Sequence, residues 1–181
     1  MQTRRLRAEP ATLANIAPFG TLLSPMSDAP VIRSAFYGDT VAIRKPGRFV
    51  GDDTLEISVA SIEARPLRVS WMERHFLHTQ TFFPLGGSAF AMVLAPPCEG
   101  EMPDLDAARA LVFDGSAGLM LHLGTWHEFP FALRGIAQVC ILIRRDTARD
   151  LAHVQGNEAR GPDLDKKDIV ARAGVAIELV V

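Results

Sequence analysis

Short apolar runs, each closed off by proline or glycine, recur through the middle of this chain and constrain its fold more than any other feature. LEISVASIEA alternates at period two through Leu55, Ile57 and Val59 until Pro66 interrupts it. LRVSWMERH repeats the alternation, with Leu67, Val69 and Trp71 on one face and Arg68, Ser70 and Met72 on the other. TQTFFPL, AFAMVLAPP, ALVFDG, GLMLHLGTWH and AQVCILIRR extend the series at fairly regular spacing. Such a series predicts an all-β sandwich or antiparallel barrel. TRRLRA near the start reads as a first strand, and 36–41 and 42–44 as strand fragments. Helix signals are short and peripheral. Thr12 is placed to cap a helix over 14–16, stopped by Pro18 and Gly20. PDLDAARALVF has a helix-entry residue, Asp104, but room for one turn at most, and DTARDLAHVQGNEARG predicts a short surface helix or tail. Residues 175–181 form one more apolar run, suited to a sheet edge or to a second subunit.

A chain of 181 residues with 48% hydrophobic and 22% charged residues buries a full core and is most simply one domain. The core falls over about 8–150, with 151–181 as a C-terminal extension. A net charge of −2 argues against a general nucleic-acid surface. No apolar run reaches the roughly 18 residues of a membrane span. The basic start lacks the apolar stretch of a secretory signal. Cys98 and Cys140 stand in unrelated contexts, which suits a reducing cytoplasm and gives no zinc-cluster spacing. These readings leave a small molecule as the expected partner.

The chemistry concentrates in WMERHFLHTQTFFPLGG, residues 71–87. Glu73 and His75 share one strand face with Trp71, which makes that face inward, an unusual place for charged groups. Gln80 rejoins that face if the chain turns between the two strands, and His78 reads as loop or rim. His127, in GTWHEFP, supplies a second imidazole from a remote strand. His122 suits that site and core packing about equally. A lone histidine on a strand is more often structural, but two acid–base-rich turns, each followed by proline or glycine, exceed that reading. Mixed nitrogen and oxygen donors suit a borderline divalent ion, which polarises a carbonyl or hydroxyl. Without a metal the same groups serve as general base and acid.

The spacing resembles that of cupins, in which His-x-His on a strand is followed by Glu and a Pro- or Gly-bounded turn, with G-x-x-H in a second motif. Glu73-x-His75 with Gln80 stands in for the first, and Gly124-Thr125-Trp126-His127 resembles the second. The strings MERHFLHTQTFFPLGG, VLAPP, PDLDAARALVFDGSAGLMLHLGTWHEFPFAL and ILIRRD are similar to the ureidoglycolate lyase family, formerly called ureidoglycolate hydrolase, over roughly 8–150 and most strongly over 71–145. That resemblance implies a homodimeric, cupin-like antiparallel β-barrel with a few short peripheral helices. It implies release of urea and glyoxylate from ureidoglycolate in allantoin and purine catabolism, with a divalent metal, commonly nickel.

On this reading Glu73, His75, Gln80 and His127 are the catalytic residues and the metal ligands: Glu73 or His127 as base, His75 as acid or ligand, and Gln80 as an orienting hydrogen-bonder. Substrate contacts fall to Arg74, Gly86, Ser88 and Trp126, with Arg134 and Arg144 as further cations. Parity points Arg74 away from Glu73, and Trp126 suits the core as well as a site. Two departures stand out. Glu128 occupies the place where a second histidine usually follows GTWH, and the extension past Arg160 is long for the family. Both invite two other readings: a cupin-fold lyase or isomerase for another small hydroxy or ureido acid, or a non-catalytic small-molecule-binding module.

Overall fold

Alternating apolar strands that each bury one face must stack that face on another layer, and the chain does so with two curled sheets. A computed structural model describes residues 1–33 and 35–181. Its strands are β1 (Gln2–Pro10), β2 (Gly20–Leu23), β3 (Leu55–Glu63), β4 (Arg68–Val69), β5 (Trp71–His75), β6 (Thr81–Pro84), β7 (Phe90–Ala95), β8 (Arg109–Phe113) and β9 (Gly118–Leu121). After these come β10 (Trp126–His127), β11 (Phe131–Ala132), β12 (Ile136–Arg144), β13 (Ala159–Gly161), β14 (Leu164–Asp168) and β15 (Val175–Val180). Among the described residues three short α-helices lie between them: α1 (Leu13–Ile16), α2 (Arg145–Leu151) and α3 (Ile169–Ala173). This is the all-β architecture of packed, mostly antiparallel sheets that the series of short apolar runs predicts.

The larger sheet runs β13–β14–β5–β10–β7–β8–β1–β15–β4, with β11 also on β7; the smaller runs β2–β9–β6–β12–β3. Only Ser70 separates β4 from β5 in the chain, yet they lie far apart in the sheet order, so the larger sheet curls back on itself. Pairing is antiparallel except at β1, which runs parallel to both β8 and β15. The final strand therefore pairs within its own chain.

Strand parity divides the core into two clusters. Between the sheets, Met92 and Leu94 of β7 pack with Phe82, Leu119 and Val139. On the other face of the larger sheet, Val69, Met72, Trp126 and Ile177 form a second cluster. Each such side chain, fully buried, stabilises the fold by about 1.5–3 kcal/mol before entropy is counted.

Local signals hold where they are strong. Thr12 and Asn15 form a reciprocal capping box on α1. Asp104 begins no helix; its carboxylate accepts from the backbone N–H groups of Asp106 and Ala107 and closes a turn instead. Residues 36–41 hold a 3₁₀ turn at Gly38–Thr40 rather than a strand, and Ile32 and Ile43 make an isolated bridge. The bend at Ser70 interrupts the face running from Val69, so Trp71 is 40% exposed while Glu73 and His75 are buried.

Candidate active site

β5 lies between β10 and β14, and Glu73 at its centre stands directly opposite His127 on one side and Lys166 on the other. Opposed residues of antiparallel strands project to the same face. His127, Glu73 and Lys166 therefore form one row across three strands, with Leu164 opposite His75 one pleat away. The row points between the sheets, since Leu94, opposite His127 on β7, belongs to the inter-sheet core. The GTWH turn is fastened to the same place. Gly124 N–H donates to the His75 carbonyl oxygen at 2.7 Å, with φ at +77°, a conformation that favours glycine.

The two oxygens of Glu73 face different partners. Oε2 accepts from Lys166 Nζ at 2.9 Å. Oε1 lies 3.6 Å from His127 Nε2 and 3.8 Å from His75 Nε2. Burial pushes the Glu73 carboxyl upward, but His127, Lys166 and His75 together outweigh it and hold the group below its ordinary range. Burial and the neighbouring His127 push His75 down to about 3, against the pull of Glu73, so His75 is neutral near neutral pH. Lys166 stays cationic: burial works against its charge, and Glu73 and Glu128 more than restore it.

Three imidazoles share one arrangement. His127 Nδ1 lies 3.1 Å from the Thr125 carbonyl oxygen, His75 Nδ1 3.3 Å from that of Asp163, and His78 Nδ1 2.7 Å from the Asp163 carboxylate. A carbonyl or carboxylate oxygen only accepts, so each Nδ1 carries a proton and each Nε2 is left to face the cluster. All three Nε2 atoms, and the Gln80 Oε1, are buried without a hydrogen-bond partner among the described residues. Orphaned polar atoms of this kind are costly unless something fills the space between them. Two triplets bring ligand atoms within 4.8 Å of one another: Glu73, His75 and His127, and His75, His78 and Asp163. The first, with two imidazoles and a carboxylate oxygen, has the donor set of a divalent metal site, and the tied Nδ1–H groups are the outer support such ligands use.

Sequence reasoning placed Glu73, His75 and His127, and the structure brings these together; Gln80 is buried beside β6 with its amide oxygen unpaired. Arg74 points to the opposite face, where it donates to Asp165 and the Cys98 carbonyl and lies over the Trp126 ring. Trp126 is a core residue of that face, its Nε1–H on Cys98 Sγ. Gly86 and Ser88 sit in the β6–β7 turn, and Ser88 shares a cleft with Arg134. That end of β7, at Phe90, is about 13 Å along the strand from Leu94. His122 is exposed, and Arg144 is spent on Asp52.

His78 is buried rather than at a rim, with its ring centroid 4.8 Å from that of His75. Glu128 is buried and paired with Arg65 at 2.9 Å; burial raises its carboxyl above the ordinary value despite Lys166 and Arg65. Lys166 and Asp163 went unseen in the sequence. Asp163 accepts from His78, Thr147 and the backbone N–H groups of Phe76 and Leu77.

The chain resembles characterised proteins over most of its length. The family model described as Ureidoglycolate lyase matches residues 3–160. The ureidoglycolate lyase of Pseudomonas syringae pv. syringae (strain B728a) is 35% identical over 131 residues, which cover 69% of this chain and 74% of that protein. That of Pseudomonas fluorescens (strain Pf0-1) is 36% identical over 131 residues, covering 69% of this chain and 75% of that protein. Among solved structures, a dTDP sugar isomerase from Desulfovibrio desulfuricans G20 aligns with a TM-score of 0.43 and 19% identity, over 80% of this chain and 86% of that one.

Proposed function

From the premise that this chain belongs to the ureidoglycolate lyase family, we propose that the cluster around Glu73 carries the reaction releasing urea and glyoxylate from ureidoglycolate. The observation that carries this reading is the convergence of the buried, unpartnered Nε2 atoms of His75 and His127 beside Glu73 Oε1.

Ureidoglycolate bears a hydroxyl, a carboxylate and a ureido nitrogen on one carbon. In the lyase step the hydroxyl loses its proton, its oxygen becomes the aldehyde carbonyl, the carbon–nitrogen bond breaks, and the nitrogen takes up a proton. One group can accept the first proton and deliver the second. His78 suits that task. Its Nε2 is unpartnered, and the Asp163 carboxylate on Nδ1 fixes its tautomer and stabilises the imidazolium that forms. This shifts the roles expected from the sequence. Glu73 is held ionised and His75 is held neutral, so neither is a ready proton donor, and both join His127 in a ligand triplet. The Gln80 amide oxygen accepts from a ureido N–H. A divalent ion such as Ni²⁺, held by Glu73, His75 and His127, would polarise the substrate hydroxyl and ease loss of its proton.

The same reading extends to the molecule's setting. The reaction serves allantoin breakdown in purine catabolism, and two free cysteines suit a cytoplasmic enzyme. Among the described residues, no helix is long and apolar enough to cross a membrane. The pairing of β14 with β5 and of β15 with β1 supports one domain that includes residues 151–181. A homodimer fits the outer face of β3, an edge strand, where Ile57 is 74% and Val59 66% exposed. The test is a coupled assay for urea and glyoxylate from ureidoglycolate, before and after chelation. The reading expects both products in equal amounts, with activity lost on chelation and restored by Ni²⁺. Absence of both products in the metal-loaded protein would defeat it.

A further inference from the structure

β14 lies beyond the 3–160 span that the family model matches, yet it forms one wall of the site. Its Lys166 has three N–H donors. One is used on Glu73 Oε2, and the ammonium has no second acceptor within hydrogen-bond distance among the described residues. The other cations around the cluster are committed. Arg65 holds Glu128 and the Phe129 carbonyl, Arg74 holds Asp165 on the far face, and Arg144 holds Asp52. A cleft of about 290 Å³, lined by Trp71, Leu151, Val154, Asn157, Ala159 and Glu158, whose carboxylate is held by Arg172, opens at Lys166. Lys166 thus lines the cleft while its ammonium holds the carboxylate whose other oxygen faces the two imidazoles.

We propose that Lys166 receives the carboxylate of the substrate, so that a segment outside the family-matched span supplies the anion-binding residue of this active site. The inference rests on the lyase reading for the identity of the substrate, but the anchoring claim concerns any small 2-hydroxy acid. A carboxylate seated on Lys166 leaves its neighbouring C2 hydroxyl on the side of Glu73, toward His75 and His127. The free donors of Lys166 and its cationic charge select an acid over the neutral amide of the same shape.

The experiment compares calorimetric binding of glycolate and glycolamide to the protein as purified, to Lys166→Arg and to Lys166→Met, with far-UV circular dichroism to confirm folding. The wild type should favour glycolate by about 10–100-fold, the span of one charge-assisted hydrogen bond. Lys166→Met should lose that preference and Lys166→Arg should keep most of it. If the methionine variant does not fold, Lys166→Gln carries the same comparison. A preference that survives removal of the charge overturns the proposal. In parallel, turnover of ureidoglycolate is compared with that of hydroxymethylurea, which lacks the carboxylate. Loss confined to ureidoglycolate supports the anchor; equal loss on both means that Lys166 only supports Glu73. A wild type that prefers glycolate but turns over no ureidoglycolate sinks the lyase reading and leaves the anchor standing.

Discussion

Glu73 divides its two oxygens between a cation on one neighbouring strand and two imidazoles, and this division makes the buried row chemically useful. A lone carboxylate at this depth would take up a proton rather than stay charged. Asp52, an exposed carboxylate held by Arg144, shows a structural use of the same physics. Hydrogen bonds from Thr54 and Arg144 hold the Asp52 carboxyl down to about 2. A carboxyl depressed on folding contributes stability above its unfolded value near 3.8, and that contribution fades as pH falls toward about 2. Asp52→Asn should therefore lower Tm at pH 7, with the gap from wild type closing as the pH drops through that window. A gap of constant size in thermal melts across that range would show that the interaction is not ionic.

At the scale of elements, β14 departs most from what the sequence offered. DLDKKD has no apolar alternation, so nothing in it marks a strand; in the fold Asp163, Asp165, Lys167 and Asp168 are all buried and paired. Charge tells nothing of its partner until the pairing strand is known, so Lys166 and Asp163 stayed hidden. β5 and β10 were legible for the opposite reason. Period-two alternation and the glycine of GTWH carry their geometry locally, whereas the bend at Ser70, which turns Trp71 outward, leaves no such trace. Asp163 joins β14 to the segment after β5 through four donors. Asp163→Ala strands these buried groups and should cost about 3 kcal/mol or more in guanidinium unfolding. A loss within experimental error would mean that the segment after β5 is held by other contacts.

The whole molecule is a curled pair of sheets whose first and last strands run side by side in parallel, so the C-terminal segment is part of the frame that shapes the site. Its outward apolar stripe on β3 is the surface on which the proposed homodimer would form. Val59→Asp should convert a two-chain assembly to single chains in light scattering, and an unchanged mass would place the interface elsewhere. The central claim is that remote strands bring Glu73, His75 and His127 into one reacting centre. It is tested most directly by kcat/KM for ureidoglycolate, followed as urea release, in folded Glu73→Gln and His127→Ala. Each variant should fall by about 100-fold or more; turnover near wild type in both would contradict the claim.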